Sequence, residues 1–192
     1  MDVLDKLYNM IKESEERCPF KTNTVRKDLD FQAMPHTVYS NPATFISNCI
    51  NGREEFICDM FNLYYDSMNA KRYPLEPRVF LPTEFSIRHN VLDSAKELIY
   101  ITLPDEFAES LEFCRAYVLT YTRNDNQIDN LKFFTIEDSM YGWKNLGYIT
   151  ENGVHKRFAH PTGCMDDDLR IIYQTAFPDA YAAERNHPDR RN

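Results

Sequence analysis

The apolar positions of this chain follow two different rhythms. Over Val3–Ile11 and Phe45–Met68 they recur every three or four residues, and over Phe113–Phe158 they alternate in two long runs. The first is the spacing of one helix face, the second that of a strand with one face buried. Val3, Leu4, Leu7, Tyr8 and Ile11 predict a short amphipathic helix that runs into the charged cluster 12–17, and Pro19 blocks its continuation. Residues 18–35 read as an extended polar connection, with a short strand at His36–Ser40. Asn41-Pro42 is a helix start, since Asn caps free N–H groups and Pro loses nothing at the first position. Apolar residues from Phe45 to Met68 then form a wide stripe, the expected spine of the fold. Gly52 interrupts it, at roughly 1 kcal/mol against Ala, and predicts a kink or a break. The stripe is wider than a coiled-coil seam, so burial within the chain is preferred to pairing of two copies.

Residues 70–90 have another character. Pro74, Pro77 and Pro82 exclude a regular helix, and Lys71, Arg72, Arg78 and Arg88 outnumber Glu76 and Glu84. A helical turn is expected near Val91–Lys96, then a strand at Leu98–Leu103 and a short helix from Pro104 to Leu111. Phe113–Arg123 alternates, with Phe113, Tyr117, Leu119 and Tyr121 on one face and Cys114, Ala116 and Val118 on the other. Asn124-Asp125-Asn126 is turn chemistry, and Leu131–Ile136 is the next strand, with Phe133 and Phe134 on opposite faces. Leu146–Thr150 and Val154–Phe158 pair around Asn152-Gly153, a dipeptide suited to a type I′ turn. Asp166–Phe177 reads as a helix limited by Pro178, and residues 179–192 as a polar tail. The prediction is one α+β domain over residues 1–178. Four or five antiparallel strands pack against the long helix and the N- and C-terminal helices.

Composition narrows the function classes. The chain has 192 residues with a net charge of -8, the wrong sign for a dedicated nucleic-acid binder and a better match to a basic protein partner. Its 13 Phe and 12 Tyr predict an aromatic core. Tyr117, Tyr121 and Phe133 are therefore assigned to packing rather than to base stacking. No apolar run approaches the roughly 20 residues that span a membrane, and Met1–Lys6 lacks a secretory pattern, so a cytoplasmic protein is expected. Five cysteines without C-x-x-C spacing predict free thiols in a reducing compartment.

Candidate chemistry is sparse. No phosphate loop, dinucleotide fingerprint, nucleophile elbow or zinc helix occurs, and no cofactor or metal is predicted. His160-Pro161-Thr162-Gly163-Cys164 precedes Asp166, Asp167 and Asp168 at a helix start. It offers a base (His160), a thiol (Cys164) and an orienting acid (Asp167), although the aspartates oppose thiolate formation and suit a helix first turn. The sequence favours a non-enzymatic protein-binding module of the inhibitor, adaptor or immunity type. Its expected contacts are Tyr73, Arg78, Phe80, Phe85 and Arg88, with Trp143 as a second anchor. The alternative is a small hydrolase or transferase built on His160–Asp168.

Overall fold

Helices come first and strands second. The computed structural model describes residues 2–20, 33–71, 78–92, 95–104, 114–138, 144–151, 155–157 and Gln174. Four helices, α1 (Val3–Glu15), α2 (Ala33–Ser40), α3 (Pro42–Ile50) and α4 (Glu54–Lys71), precede β1 (Ser86–Val91), β2 (Lys96–Thr102), β3 (Cys114–Asn124), β4 (Gln127–Asp138), β5 (Lys144–Ile149) and β6 (His155–Arg157). The strands form one antiparallel meander in the order β1-β2-β3-β4-β5-β6. The α+β class is as expected; β1, which was not expected, brings the sheet to six strands, and β6 falls within the expected strand Val154–Phe158.

The long helix is broken at Gly52, for a reason its sequence carries. Gly52 has φ +62°, and its N–H donates to the Cys49 carbonyl while that of Arg53 donates to the Asn48 carbonyl. These two bonds make a Schellman ending, which needs a left-handed residue and therefore favours glycine. Asn41 stands before Pro42 as predicted, but its amide does not cap α3; it donates to the Glu15 carboxylate and ties α1 to α3. α1 is held by reciprocal bonds between Asp2 and Asp5, and it buries Leu7 while leaving Leu4 and Tyr8 exposed.

The expected strand at His36–Ser40 is instead the end of α2. Pro35 sits in the first turn, where no N–H is required. Thr37 and Ser40 return their hydroxyls to the carbonyls of Ala33 and His36. That local bonding lets a helix be buried almost all round, and burial overrides the strand propensity of Thr-Val-Tyr. Of the expected turn at Val91–Lys96, Val91 ends β1 and Lys96 starts β2, the Leu92 N–H donates to the Lys96 carbonyl at 2.8 Å, and residues 93–94 lie outside the described residues.

The two sheet faces are both buried. Ile99, Ile101, Tyr117, Leu119, Tyr121 and Phe133 pack with all four helices, and the stripe of α4 is spent in this core rather than on a second copy. Tyr39 of α2 donates to the Ile149 carbonyl and ties the layers. Leu98, Tyr100, Ala116, Val118, Phe134 and Ile136 form a separate cluster on the other face. Phe133 and Phe134 thus lie on opposite faces, as predicted. Cys114 does not follow its predicted face. A bulge between Cys114 and Ala116 shifts the register, so Cys114 joins Tyr117 on the helix side. A second shift falls beside Asn130, which takes φ 54°, and Asp125 supplies the left-handed turn residue between β3 and β4. The short helix expected at 104–111, the Asn152-Gly153 turn, the C-terminal helix and the tail lie outside the described residues, apart from Gln174.

Candidate functional site

Residues 78–85 form a strap across α4. Ahead of Pro82 the chain is extended, because a residue before proline is driven out of the helical region; Leu81 has φ -101° and ψ 151°. Extended backbone alternates its side chains. Phe80 therefore points inward at 1 % exposure, and Val79 and Leu81 point outward at 74 % and 58 %. Asn62 of α4 grips the strap at Phe80. Its Oδ1 accepts from the Phe80 N–H at 2.8 Å, and its Nδ2 donates to the Phe80 carbonyl at 3.0 Å. The Cys58 thiol donates to the same carbonyl at 3.0 Å. One side-chain amide thereby does what a neighbouring strand would do for this residue.

The second end of the strap closes on itself. Glu84 accepts from the Leu81 N–H at 2.7 Å and from the Arg78 guanidinium at 2.5 Å, and Arg78 lies over the Phe80 ring at 4.8 Å. The Leu81 backbone bond outweighs the opposing effect of burial and, together with the Arg78 bond and charge, holds the Glu84 carboxyl below its ordinary value. Phe85 packs on Phe61 at 4.8 Å between centroids and is 5 % exposed.

These positions revise the expected contact set. Phe80 and Phe85 are core anchors, not partner contacts, because both rings are buried against α4. Arg78 is half-buried and engaged with Glu84. Arg88 is exposed, but it pairs across the strands with Tyr100 and stacks on that ring at 4.5 Å. Tyr100 belongs to the cluster on the far face, so Arg88 and the strap's Phe80 serve different sides of the sheet. Tyr73, Trp143, His160, Cys164 and Asp167 lie outside the described residues. Val79 and Leu81, the outward-facing residues of the strap, were not among the expected contacts; the signal for them was a run of three consecutive apolar residues between two prolines.

The densest polar cluster surrounds Glu97, which is 5 % exposed on β2. Its carboxylate accepts from Tyr121 OH at 2.9 Å and from Arg123 at 2.7 Å, and it meets His89 Nε2 at 2.6 Å. Burial raises its pKa, but the bonds from His89, Tyr121 and Arg123 outweigh burial and leave it below the ordinary value. Arg123 also lies over Phe20 at 5.3 Å. The cluster pins β1, β2 and β3 to the segment after α1. All its strong donors converge on one acceptor, which is the arrangement of a structural pin.

Other features offer less. A cavity of about 260 Å³ is lined by Lys96, Thr120, Thr122, Asn130 and Lys132. Its Thr122 hydroxyl donates to the Asp129 carbonyl at 3.1 Å and accepts from Asn130 at 2.9 Å, so its polar groups already serve the bulge. Cys49, Cys58 and Cys114 are buried free thiols, and Cys58 is pushed up to about 11 by burial and the nearby Asp59 charge, the reverse of nucleophile activation. Among the described residues no group of His, Cys, Asp or Glu is arranged to hold a metal ion, and no helix is long and apolar enough to cross a membrane. Compared with known proteins, the chain matches no family model, no curated protein and no solved structure.

Proposed function

We propose that this chain is a non-enzymatic protein-binding module, of the inhibitor, adaptor or immunity type, that presents the 78–81 strap to its partner. One observation carries the reading. Val79 and Leu81 are 74 % and 58 % exposed on a segment whose backbone is clamped by Asn62 and whose middle residue is buried. Single exposed apolar residues are common on protein surfaces. Two on a rigid strap are different, because ordering cost has been met before the partner arrives. The partner surface that fits is an apolar groove on a protein, with basic groups around it to meet the net charge of -8. Three buried free thiols support a reducing, cytoplasmic setting.

The test is affinity capture with immobilised wild-type protein and the Val79→Asp/Leu81→Asp variant, read by quantitative mass spectrometry. Both positions are exposed, so the variant folds normally by circular dichroism. Proteins retained by the wild type are expected to fall about tenfold on the variant, as for loss of a central apolar anchor. Equal retention on both surfaces would remove the strap from the interface.

A further inference from the structure

β1 is an edge strand, and the ladder shows which of its backbone groups face outward. The Leu92 N–H donates to the Lys96 carbonyl, the Arg123 N–H to the Ala95 carbonyl and the Leu103 N–H to the Arg115 carbonyl. In an antiparallel ladder the bonded pairs fall on alternate residues. Odd-numbered residues of β2 therefore bond to β3, and its even-numbered residues bond to Ser86, Arg88 and Asn90 of β1. Ile87, His89 and Val91 turn their N–H and C=O groups away from β2. No backbone bond from these three to another segment occurs among the described residues. Ser86, Arg88, Asn90 and Val91 are exposed, Val91 at 66 %.

Such an edge is a template for another strand unless something blunts it. β1 contains neither Lys nor Pro, and its register against β2 runs without a bulge. Its cationic side chains are drawn inward. Arg88 lies over the Tyr100 ring of β2 at 4.5 Å, and His89 meets Glu97 of β2 at 2.6 Å.

The strand is also complementary to itself. About a two-fold axis through His89, a second copy pairs with it antiparallel over its length. Ile87 then faces Val91 of the second copy, and Arg88 faces Asn90. Residues with outward backbone groups meet one another, as a bonded pair requires. Ile87 packs with the helix-side core, and Val91 shares its face, so the exposed Val91 gains an apolar neighbour. An axis through Arg88 would set Arg88 against Arg88, which is destabilising, and an axis through Asn90 would leave Ile87 unpaired.

We infer that β1 is a self-association edge, through which two copies of this chain join their six-stranded sheets into one. The inference stands apart from the strap reading. One strand pair is small beside a standard interface of about 1,600 Å², so a dissociation constant on the order of 10 μM is expected. Two chains of net charge -8 repel, so salt strengthens this dimer, whereas it would weaken an acidic strand held by Arg88.

The test is sedimentation equilibrium of the full chain over a concentration series at low and high salt. A monomer–dimer equilibrium that tightens with salt is expected. Val91→Pro removes an outward N–H but no bond to β2, and should weaken the dimer about tenfold. At high salt, Asn90→Asp sets a carboxylate opposite Arg88 twice per dimer and should tighten it about fivefold, and Asn90→Arg should weaken it by a similar factor. Both positions are exposed, and circular dichroism should be unchanged. Val79→Asp/Leu81→Asp should dimerise like the wild type, which separates this edge from the strap. A chain that stays monomeric throughout would overturn the pairing and leave the edge to a strand of another protein. A dimer that ignores Val91→Pro, or that moves in the same direction with both Asn90 variants, would overturn it as well.

Discussion

Glu97 and Asp59 make opposite uses of a carboxyl group. Glu97 is 5 % exposed yet ionises more readily than usual, because bonds from His89, Tyr121 and Arg123 outweigh its burial. Asp59 is far more exposed yet ionises less readily, because its partial burial and the charge of Glu55 act without a cation to offset them. Depth therefore does not decide the matter; partners do. The comparison separates scaffold from surface. The Glu97 cluster is complete within the chain and holds strands together, whereas Asp59 lies on an exposed acidic stretch of α4 and forms no ion pair among the described residues.

The largest effect should come from breaking the complete side. Glu97→Ala strands Arg123, Tyr121 and His89 without their shared acceptor, and urea unfolding should show a loss of about 3 kcal/mol, as for breaking a buried ion pair. The same carboxyl sets a pH dependence. Its folded pKa lies below the ordinary 4.5, so the folded state binds fewer protons than the unfolded state in that window. Its stabilisation is full above about pH 5 and is lost as pH falls through the folded value. Wild-type unfolding midpoints should fall through that window, and Glu97→Gln should fall less steeply.

Next is Asn62→Ala, which leaves the Phe80 N–H without its acceptor and its carbonyl with fewer donors; a loss of about 2 kcal/mol is expected by the same method. Gly52→Ala comes third, at about 1 kcal/mol, because alanine resists the left-handed φ although the space around it is open. The smallest effect belongs to the incomplete side. Asp59→Asn should change stability by less than about 0.5 kcal/mol. Its sign is the reverse of Glu97: an acid with a raised folded pKa costs stability once pH exceeds the unfolded value, so the variant should melt slightly higher near neutral pH. A lower melting point would mean that Asp59 has a stabilising partner.

What the sequence disclosed follows from how local each feature is. The Schellman break was visible as Gly52 within a helical stripe, and Phe133 and Phe134 declared opposite faces by alternation alone. α2 was misread because His-Thr-Val-Tyr-Ser has strand propensity, and only burial together with the Thr37 and Ser40 back-bonds makes it a helix. β1 was missed because Ser86–Val91 is polar and lies at the sheet edge, where alternation is weak. The Glu97–Arg123 bond spans 26 residues and the Asn62–Phe80 clamp 18, distances at which spacing carries no signal. Phe80 and Phe85 show the converse error: aromatics in a proline-rich segment look like surface anchors until an extended backbone turns them inward.

The contrast between the two carboxyl groups can be measured directly by following the side-chain carboxyl carbons of Glu97 and Asp59 through a pH titration by NMR. The account predicts Glu97 below the ordinary carboxylate value and Asp59 above it. An Asp59 that titrates at or below the value of Glu97 would contradict it.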